Sequence, residues 1–205
     1  MRYYIIAGEA SGDLHGSNLM KGIYSEDSQA EIRFWGGDLM ADVWQKGEAD
    51  GMGMKNNPSH PHATGLASGL VRHYKDGAVM GFVEVLAKAR KLLGNVSFCK
   101  KDILAWKPDV VILIDYPGFN FKIAEFAHKA GFKVFYYIAP KVWASREGRI
   151  KKLKAYVDRL FIVFPFEKPY FDSKGISYIY KGNPLVDAVD GSRAMNESKA
   201  DFITR

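Results

Sequence analysis

The chain has almost no cysteine: Cys99 is the one thiol among its 205 residues. A disulfide framework is therefore excluded, and a single thiol fits a reducing compartment. The sequence also lacks a long hydrophobic run, since no segment reaches the roughly 18 apolar residues that a membrane-spanning helix needs. The first apolar stretch, 3–7, gives way to a loop too early for a signal peptide. These absences predict a cytoplasmic protein without a disulfide or a membrane-spanning segment.

The sequence does have enough apolar material for a sizeable core, and it has an excess of positive charge. Hydrophobic residues make up 47% of the chain and charged residues 25%, which is typical of a globular domain. The length suits one domain, or one domain and the start of another. The net charge of +6 fits nucleic acid, an anionic membrane or phosphorylated substrates as partners.

Short β-branched stretches alternate with amphipathic ones along most of the chain. The predicted strands are 3–7, 31–37, 109–115, 133–139, 158–164 and 177–180. The predicted helices are 12–24, 82–106, 121–131, 147–155 and 166–175, the second of them broken near Gly94 and Asn95. This alternation predicts an α/β fold with a Rossmann-like, doubly wound parallel sheet. Residues 50–78 interrupt it, and their length predicts a functional or mobile loop.

An acidic loop follows the first predicted strand, with Glu9, Ser11, Gly12 and Asp13 in the stretch GEASGD. Its glycines fit neither a dinucleotide fingerprint nor a phosphate-binding loop. Carboxylates would repel a pyrophosphate, but they accept hydrogen bonds from neutral hydroxyls. The loop therefore predicts a site for a polyol such as a sugar, at the sheet edge where α/β proteins bind ligands. The structural alternative is that Ser11 or Asp13 caps the following helix.

Asp115 ends the most continuous predicted strand, in the stretch IDYPGFN. A carboxylate at this edge of the sheet can act as a general base toward a substrate hydroxyl. The alternative is that Asp115 caps a helix that begins near Phe119. Pro117 and Gly118 form a tight turn in either case.

Several motifs occur in the order seen in the lipid-A-disaccharide synthase family, and the resemblance covers most of residues 2–190. They are GEASGD, GGDLM, MGFVEVL, KPDVVILIDYPGFN, YYIAPKVWASREGRIKKLK, VFPFEKPYF and GNPLVDAV. The chain resembles the Bacteroidetes type of this family, from Gram-negative bacteria. The resemblance implies the N-terminal domain of an inverting GT-B glycosyltransferase. That enzyme joins UDP-2,3-diacylglucosamine to 2,3-diacylglucosamine 1-phosphate (lipid X), without metal or cofactor, giving a β-1,6 disaccharide phosphate and UDP in lipid A and lipopolysaccharide biosynthesis.

The same resemblance implies roles for individual residues. Asp115 matches the acid that activates the acceptor 6-hydroxyl. The substrate-binding positions that it implies are Glu9, Ser11, Gly12, Asp13, Asn120, Arg146 and Asn183. Of these, the 9–13 loop is expected on the acceptor side and Asn183 toward the nucleotide, whereas the resemblance does not separate the roles of Asn120 and Arg146.

The resemblance also implies how the chain is divided and where it works. Residues 1–182 are expected to form the acceptor-binding domain, and 183–205 a linker and the start of a nucleotide-binding domain that the chain lacks. The chain alone is therefore expected to have no, or only trace, activity. Its expected partners are the two lipid substrates and an anionic membrane surface, on the inner face of the inner membrane. No nucleic acid is expected, and a homodimer is one option for its assembly.

An apolar stripe lies in the predicted helix that starts at residue 82. Its candidate membrane or acyl-chain residues are Phe82, Val83, Val85, Leu86, Leu92 and Leu93. Lys88, Arg90 and Lys91 are interleaved with them, a composition typical of a helix on an anionic membrane or beside an acyl groove. The alternative is that the stripe faces the protein core.

Other functions are kept open at this point. A UDP-hexosamine epimerase would have the same architecture but would need no lipid acceptor, and a non-catalytic module could bind a lipid or a sugar phosphate. The basic stretch 145–159 could bind RNA phosphates, but no stacking-aromatic module accompanies it. The histidines in 60–62 lack a cysteine or acid at ligand spacing, so no metal site is predicted. Trp143 is predicted to be a packing residue.

Overall fold

A computed structural model describes residues 1–49, 68–77, 84–144 and 146–190, with the backbone alone at 48–49, 84–91, 187 and 190. The strands are β1 (Arg2–Ala7), β2 (Glu31–Gly36), β3 (Gly69–His73), β4 (Val110–Ile114), β5 (Lys133–Tyr137), β6 (Arg159–Ile162) and β7 (Ile179–Tyr180). The α-helices are α1 (Ala10–Glu26), α2 (Asp38–Ala49), α3 (Glu84–Trp106), α4 (Pro117–Lys129), α5 (Ile150–Tyr156), α6 (Glu167–Ser173) and α7 (Pro184–Asp190).

The strands form one parallel sheet in the order β3-β2-β1-β4-β5-β6-β7, which confirms the predicted doubly wound fold. Successive side chains of β1 enter opposite cores: Tyr4 and Ile6 pack in one apolar cluster, and Ile5 and Ala7 in the other. All five residues of β4 are buried. A strand covered on both faces is continuously apolar, which is why the sequence identified it so clearly.

The sheet changes direction between β1 and β4. These two strands are neighbours, with Ala7 paired to Ile114, while the chain continues from β1 toward β3 and from β4 toward β7. The connections that leave the two strands diverge, and in open α/β sheets the crevice at such a point binds ligands. The topology therefore brings the acidic loop after β1 beside Asp115 after β4.

The predicted break near Gly94 and Asn95 is wrong, because α3 is continuous from Glu84 to Trp106. A Cβ added at Gly94 would meet no neighbouring atom, so no close contact at this position requires a glycine. A glycine inside a helix costs only about 1 kcal/mol relative to alanine. The buried side chains that follow on α3, including Cys99, recur at helical spacing; they are Val96, Cys99, Ile103 and Trp106. Their packing outweighs the cost of one glycine.

The predicted loop 50–78 is wrong over residues 69–77, which form β3 and a 3-10 helix, Tyr74–Gly77. The strand begins at Gly69, whose φ of +112° is open to glycine and strained for other residues, and which lies against the Trp44 ring. Residues 50–67 lie outside the described part of the chain, as do 191–205. The division of the chain at residue 182 stays a prediction. No helix in the described ranges is long and apolar enough to cross a bilayer.

Candidate active site at the switch point of the sheet

Asp115 sits in a strained turn directly after β4. Its φ is 39° and that of Tyr116 is 44°, both in the left-handed region that costs a residue with a side chain roughly 1–2 kcal/mol. Two buried side chains hold the turn by binding the main-chain oxygen of Asp115: the Tyr136 hydroxyl donates at 2.7 Å and the Asn120 amide at 2.8 Å. The same amide group of Asn120 also donates to the Ile114 oxygen at 3.1 Å. The backbone that carries the Asp115 carboxylate is therefore fixed from two sides.

The surroundings of Asp115 favour its protonated form. Partial burial raises the pKa of the carboxyl group above its ordinary value, and the negative charge of Glu9 raises it further. The charge of Lys141 and the amide of Tyr116 act in the opposite direction. A carboxylate with a raised pKa is a stronger base, which favours proton abstraction from a hydroxyl.

The alternative that Asp115 caps the next helix is wrong, since the N-cap of α4 is Tyr116 and no side chain caps it. The helix starts earlier than predicted: it begins at Pro117 rather than near Phe119, with proline at its first position. Asn120 is fully buried and its Oδ1 has no hydrogen-bond partner within the described structure.

The acidic loop meets the Asp115 turn through Gly8. A Cβ at Gly8 would collide with the ring of Tyr116, so the absence of a side chain lets the two turns lie together. Glu9 is exposed at the N-cap of α1, and its Oε1 accepts a 2.8 Å hydrogen bond from the Ser11 hydroxyl. Gly12 is buried close to Ala7. Two carboxylates, Glu9 and Asp115, thus lie near each other, close enough for the charge of Glu9 to act on Asp115.

Asp13 was interpreted from the sequence either as a sugar-binding residue or as the cap of α1, but its hydrogen bonds lead elsewhere. It does not cap α1, whose N-cap is Glu9. Its buried carboxylate instead accepts hydrogen bonds from the amides of Gly37 at 2.7 Å, Leu39 at 3.1 Å and Met40 at 3.1 Å, at the start of α2. A carboxylate at a helix N-terminus is stabilised by the free amides and the helix dipole. Asp13 therefore joins α1 to the β2–α2 turn, and its role in binding substrate stays a prediction.

A small aromatic pocket of about 40 Å³ opens beside the same crevice. Its walls include Trp35, Tyr116 and Phe119, with ring centroids 5.3 Å apart for Trp35–Phe119 and 5.6 Å for Tyr116–Phe119. Arg72 and His73 at the end of β3 also line it. The sequence did not point to this pocket, because β3 lay hidden in a stretch interpreted as a loop.

The opposite side of the crevice carries the remaining predicted site residues. Arg146 is exposed in a left-handed turn before α5, and the Asn183 Oδ1 accepts a 3.0 Å hydrogen bond from the Leu185 amide at the start of α7. Asn183 and Lys181 line a groove of about 350 Å³ at the ends of β5 to β7. No hydrogen bond of the described residues joins Arg146 or Asn183 to Asp115, and their roles in binding substrate stay predictions.

Arg149 and Trp143 also lie on this side. The Arg149 guanidinium lies 5.5 Å from the centre of the Phe121 ring. Trp143 is 39% exposed, so it is a surface residue as well as a packing one. Its Nε1 donates at 3.1 Å to buried Glu167, and its ring meets Phe166 edge-on at 4.9 Å. The Glu167 carboxylate thus fixes the position of the partly exposed indole.

The structure describes part of the predicted membrane stripe. Leu93 is 60% exposed on α3, while Leu92 is half-buried against the core. Val85 and Leu86 lie on the same helix without described side chains, and 82–83 fall outside the described part of the chain. The stripe as a membrane surface stays a prediction.

No three His, Cys, Asp or Glu side chains of the described ranges come together as a metal site. The histidines at 60–62 lie outside those ranges. Cys99 is buried, and burial raises the pKa of its thiol. A buried thiol with a raised pKa is unreactive.

Comparison with known proteins gives one family. The family model described as lipid-A-disaccharide synthetase matches residues 63–204. The chain is 39% identical over 201 residues to the lipid-A-disaccharide synthase of Geobacter metallireducens. This alignment covers 98% of the chain and 46% of that protein. The synthase of Syntrophus aciditrophicus is 37% identical over 97% of the chain and 46% of its own length. The chain thus spans about half the length of these relatives.

Solved structures with the same fold are sugar-nucleotide enzymes. The UDP-GlcNAc 2-epimerase of Neisseria meningitidis, bound to UDP-GlcNAc, aligns with a TM-score of 0.58 at 11% identity, over 92% of this chain and 47% of its own. The UDP-GlcNAc 2-epimerase of Methanocaldococcus jannaschii aligns with a TM-score of 0.56 at 17% identity, over 92% and 47%. At these identities the likeness shows the shared fold alone.

Proposed function

The chain belongs to the lipid-A-disaccharide synthetase family, and on that premise we propose that it is the acceptor-binding half of an inverting glycosyltransferase. The complete enzyme joins UDP-2,3-diacylglucosamine to lipid X and releases UDP. The observation that carries the proposal is Asp115, a carboxylate with a raised pKa at the switch point of the sheet. The finer assignment, to the Bacteroidetes type of the family, stays a prediction.

Asp115 is the general base of the proposed reaction. Its carboxylate takes the proton of the acceptor 6-hydroxyl while the oxygen forms a bond to the anomeric carbon of the donor sugar. The bond from that carbon to the UDP oxygen breaks on the opposite face, which inverts the configuration. Glu9 supports this step in two ways, because it raises the pKa of Asp115 and offers acceptor oxygens to sugar hydroxyls.

Positive groups toward β5 to β7 suit the departing diphosphate. Lys141 and Arg146 are exposed there, and Arg149 lies over Phe121. Charge that develops on a leaving group is stabilised by cations already in place. In this proposal Arg146 and Asn183 therefore face the nucleotide side, and the 9–13 loop faces the acceptor.

The lipid substrates place the proposed enzyme at a membrane. Acyl chains leave a bilayer reluctantly, since each buried CH₂ contributes about 0.8 kcal/mol. The exposed Leu93 and the cations of α3 support a peripheral position on an anionic surface, at the inner face of the inner membrane. A homodimer is compatible with the proposal.

The test compares the 205-residue chain alone with the same chain joined to the C-terminal half of the Geobacter metallireducens relative. Each protein receives UDP-2,3-diacylglucosamine and lipid X, and mass spectrometry follows the disaccharide phosphate and UDP. We expect product from the joined protein and no more than a trace from the chain alone. Full turnover by the chain alone would refute its role as a half. Conversion of the UDP-sugar without lipid X would favour an epimerase.

A further inference from the structure

The aromatic pocket beside Tyr116 contains a cation that the reaction steps above do not use. Arg72 lines this pocket and has no carboxylate partner among the described residues. We infer that Arg72 binds the phosphate of the acceptor. The inference rests on the proposed function and adds an anion-binding subsite for its acceptor. The subsite consists of Arg72 with the polar groups of Tyr74 and Asn95, which line the same pocket.

The neighbouring charges leave Arg72 available. Asp38, a carboxylate close to this strand end, is shared by His73 at 3.3 Å and Lys75 at 3.0 Å. The other arginine of the region, Arg33, is held by Asp102 through two hydrogen bonds of 2.9 and 2.7 Å. An arginine without a carboxylate partner in a pocket presents a planar fork of donors, which matches a phosphate.

A hydrogen-bond chain positions the surface under Arg72. Its guanidinium carbon lies 5.7 Å from the centre of the Trp35 ring. The Trp35 Nε1 donates to the Tyr4 hydroxyl at 2.9 Å, and that hydroxyl donates to Asp102 at 2.7 Å. These three side chains are buried, so the indole face is fixed. A fixed aromatic face holds a guanidinium by cation–π attraction without consuming its hydrogen-bond donors.

The place of the pocket agrees with the chemistry of the acceptor. Tyr116 is a wall of the pocket and directly follows Asp115, so the pocket lies beside the base. The acidic loop repels anions, and the cations toward β5 to β7 face the leaving diphosphate in the proposed mechanism. A volume of about 40 Å³ admits a few waters or one small polar group, and excludes an acyl chain. The phosphate, one sugar ring away from the 6-hydroxyl, is the group of the acceptor that fits.

Calorimetric titration of the 205-residue chain tests the inference. The ligands are 2,3-diacylglucosamine 1-phosphate with short acyl chains and the same sugar without its phosphate. We expect the wild type to bind the phosphorylated sugar more tightly. Arg72→Met should weaken that binding about 10- to 100-fold, as loss of charge-assisted hydrogen bonds does, and leave binding of the other sugar unchanged. Arg72→Lys keeps the charge but not the planar pair of donors. Its affinity for the phosphorylated sugar should lie between those of the wild type and Arg72→Met.

Lys75→Met is the matched control, because it removes an exposed cation three positions away that is paired with Asp38. It should leave both affinities unchanged, and thermal unfolding should show that each variant is folded. If the wild type binds both sugars equally, the phosphate subsite is refuted while the acceptor assignment stands. If it binds neither sugar, the acceptor assignment fails, and the subsite with it. Equal losses of affinity for the phosphorylated sugar in Arg72→Met and Lys75→Met would show that the net positive charge, and not Arg72 itself, is responsible. That result would overturn the inference.

Discussion

The Tyr136 hydroxyl donates a 2.7 Å hydrogen bond to the main-chain oxygen of Asp115. Tyr136 is fully buried, and burial raises the pKa of its hydroxyl well above the ordinary value, so it remains a donor at every pH the protein meets. The bond reaches the one residue of this turn that the proposed reaction depends on. A residue in a left-handed conformation persists when its surroundings fix it, and such strain concentrates at functional sites.

Tyr136→Phe should therefore destabilise the turn and slow the proposed reaction. The substitution keeps the ring but leaves the Asp115 oxygen with one donor fewer. We expect the free energy of unfolding to fall by about 1–2 kcal/mol, and the rate of the joined two-half enzyme to fall with little change in the acceptor KM. Chemical denaturation and steady-state kinetics measure the two effects.

Tyr170→Phe is the matched control, since the Tyr170 hydroxyl is buried without a hydrogen-bond partner in the described structure. It should change neither quantity. If the two variants behave alike, the bond to Asp115 has no positioning role.

Asp115→Asn should abolish most activity of the joined enzyme while the fold survives. The amide is similar in size but cannot take up the proton, and loss of a general base costs about 10²- to 10⁴-fold in rate. The turn should persist, because Asn120 and Tyr136 bind the main-chain oxygen and not the side chain. A variant that keeps more than about a tenth of the wild-type rate would show that Asp115 is not the base.

The acid limb of the pH–rate profile should respond to the charges around Asp115. The base works deprotonated, so the rate falls as the pH drops through its raised pKa. Glu9 raises that pKa and Lys141 lowers it. Glu9→Gln should therefore move the acid limb to lower pH, and Lys141→Met should move it to higher pH. Measured kcat/KM profiles in which both variants shift the limb in the same direction would contradict this electrostatic account.

The fold could be predicted from the sequence because its central strands are apolar on both faces. The 109–115 stretch predicted β4 to within one residue at each end. The acid at its end predicted a site at this edge of the sheet, which stays a prediction. Strand β3 was not predicted, because it is a five-residue strand that includes Arg72 and His73 and begins at a glycine. Among the described residues its strand partner is β2, so pairing with the sheet, rather than its own pattern, makes it a strand.

Local patterns also failed where the partner is distant in the chain. Asp13 has the position of a helix cap, but the amides that it binds belong to residues 24 to 27 positions later. The contact of Arg72 with Trp35 depends on the register of two strands joined by a long connection. Such contacts follow from the assembled sheet, and a single sequence carries no periodic pattern for them.

Asp13→Asn should destabilise the protein more than a substitution at a surface acid. It replaces one of two carboxylate oxygens, which together accept three amides, with a donor that faces those amides. We expect the free energy of unfolding to fall by about 1–3 kcal/mol. The control is Asp42→Asn, at an exposed position of α2, the helix whose first amides Asp13 binds, and it should have almost no effect on stability. Unchanged stability with lost acceptor binding would instead favour a substrate role for Asp13.

The last prediction concerns the surface around the start of α3. Leu93 is 60% exposed and follows the cations Lys88, Arg90 and Lys91. If this surface meets an anionic membrane, Leu93 should enter the interface while the cations meet the headgroups. Val83→Ser/Leu86→Ser/Leu93→Ser should then lower the fraction of protein that sediments with anionic vesicles. High salt should lower it further, because exposed charges are screened over about 8 Å at physiological ionic strength.

Leu104→Ser provides the control on the same helix, three turns further on. Leu104 is 48% exposed, so the change removes a comparable apolar side chain away from the cations. It should leave vesicle binding intact, and the single variant Leu93→Ser should lower it. Neither leucine is buried, so neither substitution opens a cavity in the core, and thermal unfolding checks the fold of each variant directly. Equal binding by the triple variant and the wild type would refute the membrane surface. Equal losses from Leu93→Ser and Leu104→Ser would show that apolar area anywhere on α3, rather than this patch, governs sedimentation.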